Sequence, residues 1–184
     1  MGSINVAIIG VGNCASSLVQ GINKYSEADP EHEIPGIMNT LMSDYHIGDI
    51  KIVAAFDIDK EKVGKDLSEA IYMNNNSLKF HEVPLTGVKV QRGMTHDGLG
   101  KYLSALISKA PGETSNIVKI LKEKKVDVVI NYLPVGSEQA TKWYVEQVLK
   151  AGCAFVNCIP VFIAKENYWQ KRFHEAGLPI IGDD

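Results

Sequence analysis

The fold is decided by the stretch INVAIIGVGNCASSLVQ, which covers residues 4–20. Its first six residues are mostly apolar and β-branched, which is typical of a buried strand. Gly10 and Gly12 follow this strand, Ala15 comes shortly after them, and a helical pattern then begins. A G-x-G-x-x-[GA] motif in this strand–turn–helix order predicts a dinucleotide-binding turn.

Each small residue of this turn has a physical role. Gly10 permits the tight turn off the strand, Gly12 lets a pyrophosphate approach the backbone, and Ala15 lets the helix pack closely. The helix N-terminus then offers free N–H groups and a partial positive charge to the anion. The alternative is a tight strand-to-helix turn that binds no ligand. The position of the glycine motif directly after a buried strand favours nucleotide binding.

The composition excludes several classes of protein. Hydrophobic residues make up 45% and charged residues 22% of the chain, which is ordinary for a globular domain that buries a core. The net charge is −3 and there is no basic run, so no nucleic-acid or membrane partner is predicted. No apolar run is long enough to span a bilayer, and no signal peptide precedes the first strand. We therefore expect a cytoplasmic protein.

Other motifs of catalysis or metal binding are missing from the sequence. The three cysteines are Cys14, Cys153 and Cys158, and their odd number and wide spacing argue against a disulfide framework. The histidines are scattered without an i, i+4 pair, so no metal site is predicted. There is also no G-x-S-x-G elbow and no Walker lysine. Taken alone, the residues indicate a dinucleotide-binding domain and do not identify its reaction.

Strands and helices alternate along the rest of the chain. Strands are predicted at residues 4–9, 50–56, 78–83, 88–91, 126–133, 154–159 and 178–181. Helices are predicted at residues 14–24, 60–72, 114–125, 137–150 and 165–176. Residues 25–48 are predicted to be an insertion that contains a short helix at residues 37–45. Long connections between apolar strands favour parallel pairing. The sequence therefore predicts an α/β, Rossmann-like, doubly wound, mostly parallel sheet.

Asp57 ends the second long strand, where an acidic residue of a Rossmann fold holds the ribose diol. Its distance from the glycine turn exceeds the usual spacing, and the insertion at 25–48 accounts for the excess. The alternative role is the N-cap of the next helix, which Asp59 could provide equally well. No arginine follows closely, so NAD is predicted rather than NADP.

Two further turns lie beyond Asp57. The turn at residues 131–137 follows a buried strand, and doubly wound sheets bind ligands at the carboxyl ends of their strands. The glycine-rich run at residues 92–100 is, on composition alone, a loop and nothing more.

With these motifs the sequence resembles the inositol-1-phosphate synthase family, in the form found in actinobacteria and some other prokaryotes. The motifs that carry the resemblance are residues 10–21, 53–57, 91–93, 97–98, 132–137, 160–164 and 179–184. They occur in the right order over essentially the whole chain.

The resemblance implies an isomerase that converts glucose 6-phosphate into inositol 1-phosphate (1D-myo-inositol 3-phosphate), for inositol and phospholipid biosynthesis. Family members use NAD as a true catalytic cofactor. The sugar is oxidised at C5, enolised, cyclised by an intramolecular aldol step and reduced again. The resemblance also implies a homotetramer.

The resemblance further implies a set of cofactor-binding residues. The pyrophosphate would be held by Gly10, Gly12, Asn13, Cys14 and Ala15. Asp57 would hold the adenosine ribose; the cofactor would be lined by Tyr132, Leu133 and Pro134; and Asp184 would lie near the nicotinamide. Asp66 and Tyr144 are family-based candidates for which a helix-surface carboxylate and a packing residue are the alternatives.

Relatives of this type are much longer and continue into a lysine-bearing catalytic and oligomerisation domain. We therefore expect residues 1–184 to form the N-terminal, NAD-binding Rossmann part of such a protein, with an incomplete sheet and no catalytic residue. Two other functions stay open: a non-catalytic NAD-binding module, and a dehydrogenase of the glucose-fructose or homoserine type. Against the dehydrogenase, no Lys-Pro motif follows a strand.

Overall fold

The structure is a computed structural model that describes residues 2–74, 76–101 and 103–183. Its strands are β1 (Ile4–Ile9), β2 (Leu41–Met42), β3 (Tyr45–His46), β4 (Ile50–Asp57), β5 (Val90–Arg92), β6 (Val128–Asn131), β7 (Ala154–Asn157) and β8 (Ile180–Gly182). Its helices are α1 (Asn13–Lys24), α2 (Leu67–Ala70), α3 (Leu103–Leu106), α4 (Ile117–Glu123), α5 (Glu138–Ala151) and α6 (Asn167–Glu175), with a 3-10 helix at Ile47–Asp49. In the part of the chain that the structure describes, no helix combines the length and the apolar character needed to cross a membrane.

Six strands form one parallel sheet in the order β5-β4-β1-β6-β7-β8. β1 lies in the interior of this sheet, where its last residue, Ile9, is in register with Phe56 of β4 and Asn131 of β6. The residues that follow these three strands therefore emerge at the same edge. The predicted α/β fold with a parallel sheet is confirmed, and the glycine turn lies beside the ends of β4 and β6.

Side chains of β1 alternate between the two faces of the sheet, as the pleat requires. Ile8 packs in a cluster with Ala15 of α1 and Leu67 of α2. Its neighbours on β1 pack on the opposite face, in a cluster to which α4, α5 and α6 contribute. Helices therefore cover both faces, which confirms the doubly wound arrangement.

The segment predicted as a helix at 60–72 is helical only over Leu67–Ala70. The backbone of Gly64 has a φ of +87°, which ends regular helical geometry there. Its N–H donates to the carbonyl of Val90 at 2.9 Å, which ties the segment to β5. The prediction of one long helix was wrong because these tertiary hydrogen bonds outweigh the local helical pattern.

Residues 78–83, predicted as a strand, belong to no strand of the structure. Gln20 of α1 is fully buried, and its side-chain oxygen accepts from the N–H groups of Phe80 at 2.8 Å and His81 at 3.0 Å. A buried glutamine therefore takes the place of a neighbouring strand as the hydrogen-bond partner of this backbone.

The short helix predicted at 37–45 was also wrong. β2 and β3 pair there as an antiparallel hairpin within the insertion. Ser43 has a φ of +52° between the two strands, a conformation that belongs to a tight turn and not to a helix.

Candidate nucleotide site

A cavity of about 330 Å³ lies at the carboxyl edge of the parallel sheet. Among the described residues, its lining comes from five parts of the chain: the glycine turn, the end of β4 with the residues after it, the stretch after α2, a segment between β5 and α4, and the segment from the end of β6 into α5. The lining includes these residues predicted from the sequence: Gly10, Gly12, Asn13, Asp57, Tyr132, Leu133, Pro134 and Tyr144. The fold thus brings together motifs that lie far apart in the chain.

The two glycines of the turn meet different surroundings. Gly10 has a φ of +87°, and a Cβ there would lie 2.7 Å from the carbonyl oxygen of Tyr132. Gly12 has a φ of −94°, and a Cβ there would meet no atom within 4 Å. Gly10 is therefore required by the turn and its contact with the segment after β6, whereas Gly12 leaves open space beside the cavity.

Asp57 connects the end of β4 to the glycine turn. Its Oδ2 accepts from the N–H of Val11 at 2.7 Å, and its Oδ1 accepts from the N–H groups of Ile58 at 2.7 Å and Asp59 at 2.9 Å. Asp57 also lines the cavity. A carboxylate has about four lone-pair sites, so it retains capacity to accept a hydrogen bond from a ligand hydroxyl.

A buried lysine lies behind the glycine turn. Lys62 is only 6% exposed, and its Nζ donates to the carbonyl of Val11 at 2.7 Å and to Oδ1 of Asn76 at 3.1 Å. Burial lowers the pKa of Lys62, although the charges of Asp57 and Asp59 act in the opposite direction. The sequence carried no signal for this role, because the lysine lies in a stretch whose pattern predicted an amphipathic helix.

Asp59 has a structural role beside this lysine. It is 2% exposed, and its carboxylate accepts from the N–H of Glu61 at 3.0 Å and from the side-chain amide of Asn74. It also accepts, through its backbone carbonyl, from the N–H of Val63 at 2.9 Å. Asp59 therefore organises the turns after β4. The alternative N-cap role for Asp57 or Asp59 was wrong, because the next helix, α2, has Asp66 as its N-cap.

Hydrogen bonds of two buried asparagine side chains, Asn131 and Asn157, stabilise the turn after β6. Oδ1 of Asn131 accepts from the N–H of Leu133 at 3.2 Å, and its Nδ2 donates to Oδ1 of Asn157 at 2.8 Å. Burial, with smaller contributions from Cys158 and Cys14, raises the pKa of Tyr132 to about 12. The phenol of Tyr132 is therefore neutral at physiological pH.

The loop between β5 and α3 forms a wall of the cavity, which composition alone did not indicate. The hydroxyl oxygen of buried Tyr144 accepts from the N–H of Met94 at 2.9 Å, and burial raises the pKa of this tyrosine. The carboxylate of Asp97 accepts from the N–H groups of Gln139 at 2.7 Å and Ala140 at 2.9 Å. These contacts fix the first half of the loop to α5 at two points.

Some predicted residues lie elsewhere. Cys14 is exposed, Ala15 is fully buried on the inner face of α1, and neither belongs to the described lining. Asp66 also lies outside that lining, where its Oδ1 accepts from the N–H groups of Ser68 at 2.9 Å and Thr86 at 3.1 Å and caps α2. Asp184 lies outside the described residues. Ligand contact by these residues stays a prediction.

The chemistry of the cavity fits a dinucleotide. The N–H of Gly12 has no hydrogen-bond partner within residues 2–74, 76–101 and 103–183, so it is available to an anion. Asp57 supplies a carboxylate for a ribose diol. Apolar side chains complete the walls: Phe56, Ile58, Met94, Leu99, Leu103 and Ile107. This mixture of apolar walls and few polar groups is usual in cofactor sites.

Comparison with known proteins gives one consistent set of relatives. No family model matches the chain. The inositol-3-phosphate synthase of Mycolicibacterium smegmatis is 54% identical over 184 residues, which are 100% of this chain and 51% of that protein. The chain thus spans about half the length of the curated relatives it matches.

Solved structures give the same picture at lower identity. The crystal structure of Ari2 superposes with a TM-score of 0.83 and 34% identity, over 99% of this chain and 54% of that chain. A myo-inositol-1-phosphate synthase-related protein from Thermotoga maritima has a TM-score of 0.67 and 25% identity, over 99% of this chain and 55% of that chain. The chain, with its Rossmann-like NAD(P)-binding fold, is therefore a homologue of the actinobacterial inositol-3-phosphate synthases and corresponds to their N-terminal portion.

Proposed function

We propose that residues 1–184 are the NAD-binding part of an inositol-3-phosphate synthase that converts glucose 6-phosphate into inositol 1-phosphate. One observation carries the proposal: the glycine turn, Asp57 and the turn at Tyr132–Pro134 line a single cavity. The similarity to synthases over about half of their length supports the same reaction class. Assembly as a tetramer is part of the proposal.

The residues of the cavity have defined roles in this proposal. The backbone of Gly12 and the first turn of α1 receive the pyrophosphate, since helix N-termini attract anions. Asp57 accepts hydrogen bonds from the adenosine ribose. Asp57 and Asp59 together carry two negative charges against the single charge of Lys62, which disfavours the 2′-phosphate of NADP.

Bound NAD would supply reversible hydride transfer to the proposed isomerisation, which would then have no net redox change. The contribution of this chain is to hold the nucleotide and to keep water away from it. Tyr132, Leu133 and Pro134 form the rim at which the nicotinamide end would lie. We assign no catalytic residue among residues 1–184.

Calorimetric titration of the chain with NAD⁺ and NADP⁺ tests the cofactor. We expect NAD⁺ to bind at least about tenfold more tightly, since an unpaired phosphate beside a carboxylate costs about 1.4 kcal/mol or more. Equal affinities, or tighter binding of NADP⁺, would contradict the assignment of NAD.

Incubation with glucose 6-phosphate and NAD⁺ tests the reaction. Formation of inositol phosphate without accumulation of NADH supports the isomerase. Accumulation of NADH supports a dehydrogenase, and NAD⁺ binding without turnover supports a nucleotide-binding module that needs further residues for its chemistry. Light scattering after size-exclusion chromatography reports the oligomeric state in the same samples.

A further inference from the structure

Lys62 is a buried cation without a directly paired anion. It is 6% exposed, and no carboxylate oxygen of the described residues lies within the 4.0 Å of an ion pair with its Nζ. Its partners are neutral: the carbonyl of Val11 and the side chain of Asn76. Burying a charge costs free energy unless pairing offsets it, so the position of this lysine calls for an explanation.

Lys62 contacts the peptide between Val11 and Gly12. The carbonyl of this peptide accepts from Nζ of Lys62 at 2.7 Å and from Nδ2 of Asn76 at 3.1 Å. In a trans peptide the C=O and N–H groups point in opposite directions, and the described residues contain no cis peptide. The N–H of Gly12 therefore points away from Lys62.

The N–H of Gly12 lies where a ligand can reach it. Gly12 lines the cavity, and the space beside its Cα is open. Lys62 thus fixes the direction of a donor that has no partner among the described residues. The charge adds a second effect, because a cation bound to a carbonyl polarises the peptide and strengthens its N–H as a donor.

We propose that Lys62 is a positioning residue for the dinucleotide phosphate site, which orients the Gly12 N–H toward the pyrophosphate and places a positive charge behind the turn. The proposal rests on the proposed function of NAD binding. The side-chain amide of Asn76 already donates a hydrogen bond to the Val11 carbonyl. A second, charged donor is therefore not needed to satisfy this carbonyl in the folded protein.

The test compares Lys62→Met with Lys60→Met in the full chain. Lys60 lies two residues earlier, and its side chain is 51% exposed beside Glu61, so it controls for the loss of a nearby charge. Nitrogen–proton NMR spectra without nucleotide report the Gly12 amide directly. Calorimetric titration with NAD⁺ reports the affinity, and thermal unfolding reports stability.

We expect K62M to move the Gly12 amide resonance and to weaken NAD⁺ binding roughly tenfold or more, as for a lost charged hydrogen bond. K60M should leave both unchanged. Wild-type affinity in K62M would overturn the role of Lys62, whereas a wild type that does not bind NAD⁺ would overturn the proposed function itself. A lower melting temperature with an unmoved Gly12 resonance would show that Lys62 is only structural.

A second variant keeps the proposal testable if K62M fails to fold. Asn76→Ala removes the other donor to the Val11 carbonyl and leaves the lysine in place. We expect a smaller displacement of the Gly12 resonance and a loss of NAD⁺ affinity of roughly twofold to tenfold, as for a neutral hydrogen bond. An unchanged resonance and affinity in N76A would contradict the positioning of Gly12 through its preceding carbonyl.

Discussion

The carboxylate of Asp57 accepts a hydrogen bond from the N–H of Val11 at 2.7 Å, although the two residues are 46 positions apart. This bond joins the end of β4 to the turn after β1. Asp57 therefore has two roles in the proposed site: it shapes the glycine turn, and it presents a carboxylate to the cavity. Substitutions at this position should alter both stability and ligand affinity.

Asp57→Asn should weaken NAD⁺ binding by roughly tenfold and lower the free energy of unfolding by about 1–3 kcal/mol. The amide has one oxygen instead of two, so at least one of the backbone N–H groups now held by the carboxylate loses its acceptor. Calorimetry and urea denaturation measure the two effects. Glu123→Gln, at an exposed position of α4, is the control. A dissociation constant equal to that of the wild type would refute ribose binding by Asp57.

Gly10→Ala and Gly12→Ala should separate folding from binding. A Cβ at Gly10 would lie 2.7 Å from the carbonyl of Tyr132, in a backbone with φ +87°, so G10A should lose about 2 kcal/mol or more of stability. G12A should unfold like the wild type, since its added methyl group enters open space, but bind NAD⁺ more weakly. Urea denaturation and calorimetry provide the comparison. Equal destabilisation by the two variants would contradict this distinction.

Tyr144→Phe should lower the free energy of unfolding by about 1–3 kcal/mol, because it leaves the N–H of Met94 without its buried acceptor. The hydrogen bond that is lost measures 2.9 Å. Tyr168→Phe, at a residue that is 60% exposed, should change stability by only a few tenths of that amount. Hydrogen exchange should show faster exchange at Met94 in Y144F alone, and protection there equal to the wild type would argue against the contact.

The stability of the protein should decrease between about pH 4 and pH 2 in part because of Asp66. Burial raises the pKa of this carboxyl, but hydrogen bonds from Ser68 and Thr86 outweigh burial and lower the pKa from 3.8 to about 2. A carboxyl whose pKa is lower in the folded state stabilises the fold above its unfolded pKa. That contribution is lost as the pH falls through the folded pKa.

Asp66→Asn removes this titration and should make the decrease shallower. The difference in unfolding free energy between wild type and D66N should be largest above pH 4 and shrink toward pH 2. Urea denaturation across this range measures it, with Asp44→Asn in the exposed hairpin as the control. A difference that stays constant with pH would refute the assignment.

Sequence patterns located the parts of the site that depend on local chain geometry. The apolar strands before Gly10 and Asp57 were sufficient to place these two residues in the candidate site, because parallel strands have their carboxyl ends at one edge of the sheet. Tyr132 followed from the same rule. The strand ends follow from the hydrophobic pattern and the parallel pairing follows from connection length, whereas the order of the strands was not predicted.

Lys62 and Asp97 could not be found in this way. Each acts through a hydrogen bond to backbone that is distant in sequence, at Val11 for Lys62 and at Gln139 and Ala140 for Asp97. A lysine in a helical pattern and an aspartate in a glycine-rich loop both suggest solvent exposure. Only the folded arrangement gives these side chains their partners.

The glycine turn is encoded within the first twenty residues but cannot reach its final form there. Gly10 packs on Tyr132, and Val11 is held by Asp57, Lys62 and Asn76. On a ribosome, the first strand and helix emerge long before the last of these partners. The nucleotide turn is therefore a late product of folding, and a nascent chain that ends before β6 would carry the whole motif without a formed binding site.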